Sequence, residues 1–187
     1  MSDSGGSSVE LLVYSSQLRR GDYAEGWGGT PEIERAVQQA VYDRLDMARG
    51  FCEFAERLLS LPTPQDMDYR NTVSRAYYAC HHAMRACALG HQNGDEPDHR
   101  GAITAFAAIV NAEGMLRSKL GEAAGVERRL NQLMEWRHRA DYYPYGSSYP
   151  LEEPVDFAVI AGEACGLARA IVEAVASFLK WRKGGSP

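Results

Sequence analysis

The stretch from Asp68 to Leu89, DYRNTVSRAYYACHHAMRACAL, constrains the fold more than any other part of the chain. Its apolar residues recur at three- and four-residue spacing, which predicts a helix. Val73, Ala76, Tyr77, Cys80, Met84 and Cys87 fall on one stripe, a width that suits a core. Arg75, Tyr78, His82 and Arg85 line up on the opposite face, which carries no acid. A solvated surface face usually mixes charges of both signs. Two readings follow for this one. It is a solvated face with a stacked aromatic, or the helix is used on both sides and the second side meets another chain or an anionic ligand.

The 187 residues are enough for one domain with a real core. Hydrophobic residues make up 45% and charged residues 24%, as in ordinary globular proteins. The net charge of −5 argues against a bulk electrostatic attraction to nucleic acid, so an anion site has to be local. Charges break every apolar run before it reaches bilayer-spanning length, and no membrane association is expected. Met1 is followed by Ser-Asp-Ser-Gly-Gly rather than a basic and then apolar leader, which predicts a cytoplasmic chain. Cys52, Cys80, Cys87 and Cys165 form no CxxC pair and sit among apolar residues, so they read as small buried hydrophobes in a reducing compartment. The histidines and cysteines make no zinc spacing, and neither a metal nor a cofactor is expected.

Residues 1–30 read as a flexible arm, rich in Ser and Gly, in which Val9–Tyr14 is too short to assign. Tyr14, Tyr23 and Trp27 are large for such a segment; either the arm packs on its own domain or it anchors to a partner. Thr30-Pro31-Glu32 is a helix start, with Thr as N-cap and Pro at the first helical position. A helical stripe from Ile33 to Leu59 follows, interrupted by Gly50 and ended by Leu61-Pro-Thr-Pro64. The central helix comes next, and Gly90 with the polar run His91–Pro97 is expected to end it. One helical segment is predicted from His99 to about Leu120 and another from about Gly125 to Asp141. Tyr142–Pro150 is a turn-rich loop. Glu152, Glu153 and Pro154 are expected to open the last helix, which runs to about Trp181 with Lys180, Arg182 and Lys183 at its negative end. The fold class is all-α: an up-and-down bundle of four to five helices over residues 31–183, with a long C-terminal helix and a short tail at 184–187.

Arg137 stands where the Leu130, Leu133 and Met134 stripe calls for an apolar residue. An unpaired charge facing a core is costly, so it needs partners. Asp141, one turn later, can supply one. The alternatives are an internal Arg–Asp bridge, or a guanidinium whose planar fork is aimed at an anion.

At these positions the chain resembles the HEPN domains (higher eukaryotes and prokaryotes nucleotide-binding). Ser74-Arg-Ala-Tyr-Tyr-Ala79 with His82-Ala83 looks like the family's helix signature, and His99-Arg-Gly-Ala-Ile-Thr-Ala-Phe106 resembles the segment that follows it. Arg137-His-Arg-Ala-Asp-Tyr142 resembles the Arg-x-x-Ala-Asp-Tyr motif. The resemblance covers about residues 33–182. It implies a four- to five-helix bundle that commonly dimerises, with motif arginines near a shared cleft. Many such proteins are metal-independent ribonucleases with an Arg-x4-6-His motif, paired with a minimal nucleotidyltransferase antitoxin; others are binding or scaffolding modules. This chain departs from the nuclease pattern, because Tyr142 occupies the first position where that motif expects His, and Tyr143 and Pro144 follow.

Metal-free RNA cleavage needs a base, an acid and a cation on the phosphate. Arg137 can be the cation. Tyr142, with an ordinary pKa near 10, is a poor base at neutral pH. His138 lies about 100° around the helix from Arg137. His82 is the best titratable candidate, provided Arg75 and Arg85 keep it neutral. His91 and His99, in or beside a polar loop, read as solvated. The candidate catalytic set is therefore Arg137, His82 and Tyr142, and the candidate ligand or interface set is Arg75, Tyr78, Arg85, His138 and Asp141. The expected function is a dimerising module that binds a protein partner, nucleotide or RNA, as part of a defence or toxin–antitoxin type system or a larger assembly. The alternative is a ribonuclease toxin restrained by a nucleotidyltransferase.

Overall fold

The computed structural model describes residues 31–92, 94–142, 155–182 and 184. Among them the chain forms six helices and no strand: α1 (Pro31–Leu59), α2 (Asp66–Gln92), α3 (His99–Ala112), α4 (Gly114–Leu120), α5 (Ala123–Tyr142) and α6 (Phe157–Arg182). The expectations for the N-terminal arm, for the Thr30 cap and for most of the 142–150 loop fall outside the described residues.

Helix α2 is the hub, packing against α1, α3, α5 and α6. The predicted stripe is fully enclosed: Val73, Ala76, Tyr77, Cys80, Met84 and Cys87 are all buried. So are Ala79, Ala83 and Ala86, which lie beside that stripe. Alanines let neighbouring helices approach from several directions, which is how one helix serves as the centre of a bundle. From α6, Ala161, Ala164, Ala168, Ile171, Val175 and Phe178 fill the facing side, and from α5, Val126, Leu130 and Leu133 do the same. All four cysteines are buried as free thiols. Burial pushes the Cys52 and Cys165 thiols up to about 12 and about 11, so they stay protonated.

Three element boundaries differ from the sequence reading. Helix α2 does not stop at Gly90 but continues to Gln92. The glycine is there for space: a Cβ at this position would lie 2.5 Å from Leu179 Cδ2 of α6. The predicted single helix over 99–120 is two, which raises the count to six. Glu113 is extended (φ −103°, ψ 106°), its N–H capping Ile109 O. Its carboxylate accepts from His91 Nε2 at 2.8 Å and from Arg182 at 3.4 Å, so three helices meet at the break. Helix α6 starts at Phe157 rather than at Glu152. Asp156 caps it, accepting from the Ala158 and Val159 amides at 3.0 and 3.4 Å. No described helix is long and apolar enough to cross a membrane.

Candidate functional site

Arg137 sits near the end of α5, its side chain 13% exposed. Its Nε lies 2.7 Å from Asp141 Oδ2, an ion-pair contact rather than an aligned hydrogen bond, and its Nη2 donates to the Tyr78 hydroxyl. The guanidinium carbon is 5.1 Å from the centre of the Tyr78 ring, 5.4 Å from that of Tyr142 and 5.9 Å from that of Tyr77. Three aromatic faces thus surround one cation, a setting that cation–π attraction favours. Tyr142 is 61% exposed, and His138 lies beside it with ring centres 5.0 Å apart and planes tilted by 48°. Arg70 of α2 holds this corner in place, donating to the Ala140 carbonyl and covering Phe157 at 4.4 Å.

A track of rings leads inward from there. The Tyr77 hydroxyl and His99 Nδ1 share a hydrogen bond of 2.8 Å. His99 lies 4.5 Å from His81, and His81 5.7 Å from His82. His99, expected to be solvated, is therefore half-buried and held by partners. Asp98 caps α3 by accepting from the Gly101 amide at 2.7 Å, and this cap turns His99 back onto α2. Burial, and then the Arg137 charge, holds the His99 imidazole below its ordinary value. Burial pushes the Tyr77 phenol up, against the pull of Arg137. His91 is also partnered, through Glu113.

At the inner end lies an ionic triad. Arg85 grips Asp95 through Nε at 2.7 Å and Nη2 at 2.6 Å, and Arg44 of α1 donates to the same carboxylate. The Asp95 side chain is wholly buried, and those of Arg44 and Arg85 are 7% and 12% exposed. Two guanidinium groups against one carboxylate leave a buried excess of positive charge. It acts on His82, whose pKa falls to about 4 through burial, then Arg44, then Arg85. His81 falls to about 3, through burial first and then His99. The expected lowering of His82 is found, but Arg44 takes the place given to Arg75.

The second face of α2 is largely covered from within. Phe51 of α1 stacks on His82 at 5.5 Å with ring planes 6° apart and lies 5.7 Å from Tyr78. Arg75 stands over the same Phe51 ring at 5.8 Å. The structure brings Arg137, Tyr78, Asp141, Tyr142 and His138 together. His82 stacks on Phe51 instead, and Arg85 is paired with Asp95. Sequence reasoning missed Arg44, Phe51, Asp95 and His99. The Asp98–Gly101 cap was the one signal that could have drawn attention to His99.

A shallow groove of about 340 Å³ between α1 and α6 shares no residue with this cluster. It is lined by Glu56, Cys165, Gly162, Gly166 and Arg169, with Glu56 and Arg169 paired across it at 2.8 Å. No cluster of ligating side chains among the described residues could hold a metal ion. Comparison with protein-family models, with curated proteins and with solved structures finds no match.

Proposed function

We propose that the chain is a HEPN-like helical module that binds the phosphate of a nucleotide or of single-stranded RNA at the Arg137 corner, with little or no cleavage of its own. The observation that carries this reading is the setting of Arg137. The Tyr78 and Asp141 contacts engage Nη2 and Nε, leaving Nη1 as the remaining donor group of a guanidinium with five N–H donors. The exposed Tyr142 ring beside it offers a base a surface on which to stack. His82, the best acid/base candidate of the sequence, lies under Phe51 instead of beside Arg137, which speaks for binding over catalysis.

Dimerisation belongs to the same proposal. A second copy would meet an outer face, because Phe51 already covers much of the second side of α2. Met47 and Phe54 lie seven residues apart on α1 and are 47% and 41% exposed, a stripe suited to a partner helix. A nucleotidyltransferase or a larger assembly is the other partner class.

The test is purified protein on single-stranded RNA with a metal chelator present, beside Arg137→Ala and Tyr142→His. Binding that fails in Arg137→Ala, with background cleavage by the native chain, is the expected result. Robust chelator-resistant cleavage by the native protein, lost in Arg137→Ala, would replace this reading with the ribonuclease one.

A further inference from the structure

We propose that His99 is the second ligand arm of the Arg137 site and that its hold on an anion tightens when it takes up a proton. The inference rests on the phosphate-binding reading above and adds a residue and a proton to it.

The geometry pairs the two groups through shared neighbours. His99 lies 5.5 Å from the Tyr77 ring and 6.5 Å from the Tyr78 ring. The Arg137 guanidinium stands 5.9 and 5.1 Å from those same two rings. One group comes from the start of α3 and the other from the end of α5, and both lean on one pair of tyrosines from α2. The Tyr77 hydroxyl occupies Nδ1 of His99 and fixes the ring, which leaves Nε2 as its other hydrogen-bonding atom. A flexible histidine would have to be ordered by the ligand; this one is ordered in advance.

The charges around His99 set the direction of the coupling. Arg137 faces it from α5 and Arg85 from α2, and both oppose protonation; Asp98, its neighbour in sequence, favours it. His81 of α2, in ring contact, is held neutral down to about 3 and does not compete for the proton near neutrality. Tyr77 keeps its proton throughout. Without an anion, burial and Arg137 keep the imidazole neutral at pH 7. A phosphodiester set against Arg137 cancels that repulsion and adds an attraction, so its arrival favours the imidazolium. By linkage, lowering the pH must then tighten binding, by at most about tenfold per pH unit for one proton taken up.

The probe is a short fluorescent oligouridylate, whose phosphodiesters and bases do not titrate between about pH 5.5 and 8. The expected result is that native protein binds at least about fivefold more tightly at pH 6 than at pH 7.5. His99→Asn, which cannot be protonated in this range, should keep the weaker affinity at both values. His138→Asn removes the other histidine near Tyr142 and should keep the native slope. Equal slopes in native protein and His99→Asn, or a slope lost in His138→Asn alone, would overturn the inference. A measurement on unmutated protein guards against misfolding of a variant. The His99 ring resonance, followed by NMR, should titrate at higher pH with oligouridylate bound, and an unchanged midpoint would overturn the proposal. Failure of the two readings is distinguishable. Binding that is independent of pH yet lost in Arg137→Ala removes His99 and leaves the Arg137 site standing; no binding at any pH removes both.

Discussion

Arg85 holds Asp95 by two parallel hydrogen bonds, 2.7 and 2.6 Å long, although the two stand ten positions apart in the chain with a helix end between them. The pairing pulls the α2–α3 connection inward and so fixes where α3 starts. His99 follows four positions after Asp95, at the start of α3, where it meets Tyr77. Asp95→Ala leaves two arginines buried with no counter-ion, a change that typically costs about 3–5 kcal/mol. Urea unfolding should show that loss. Asp95→Asn should recover little of it, since the amide keeps the shape but not the charge. A variant as stable as the native chain would mean that the arginines find other partners.

Two glycines within helices should respond in opposite directions. At Gly90 an added Cβ would lie 2.5 Å from Leu179 Cδ2, a side chain only 7% exposed and therefore hemmed in. Gly90→Ala should destabilise by about 1–3 kcal/mol through overpacking, less the helix-propensity gain. At Gly50 nothing lies within 4 Å of the built Cβ, and Gly50→Ala should stabilise by about 0.5–1 kcal/mol. Denaturation midpoints of the two variants, moving to opposite sides of the native value, are the check.

The dimer proposed on the outer face of α1 is tested by mass. Light scattering at micromolar concentration should give about twice the 20.7 kDa chain mass. Phe54→Glu places a charge on the exposed stripe, where it costs the monomer little, and should return the mass to that of one chain. A native mass of one chain across that range would remove the dimer from the proposal, and an unchanged dimer in Phe54→Glu would place its interface elsewhere.

The helices were legible because their signals are local. The stripe through Val73, Tyr77, Cys80 and Met84 repeats with the helical period and is buried as that period requires. The Arg137–Asp141 contact was also legible, since four residues on a helix bring two side chains together. Boundaries were less so. Gly90 looks like a terminator until Leu179, 89 residues later, shows why no side chain fits. The inner half of the cluster was hidden for a related reason. Arg44 and Asp95 are 51 residues apart, and no local pattern marks either one as half of a pair. Phe51 lies off the strict α1 stripe, so its cover over His82 could not be read from periodicity.

The buried histidines predict how stability responds to acid. His81 and His82 are neutral in the folded protein, with values near 3 and 4, whereas in the unfolded chain each takes a proton near the ordinary 6.5. Below about pH 6.5 the unfolded state therefore binds more protons than the folded state, and stability falls as the pH falls. The loss begins near the unfolded value and continues until the folded values are reached. At about 1.4 kcal/mol per unit of separation, each histidine should cost on the order of 2 kcal/mol by about pH 5. That is above the range in which most carboxylates titrate, so the histidines dominate the slope there. His99, also held below its ordinary value, adds to the same slope, so His82→Gln removes one of these contributions and should reduce the slope of unfolding free energy against pH by about a third to a half between about pH 6 and 5. Urea titrations at a series of pH values give that slope directly. A slope unchanged by His82→Gln would show that His82 is already protonated in the fold, and that Phe51 and the Arg44–Asp95–Arg85 triad do not hold it neutral.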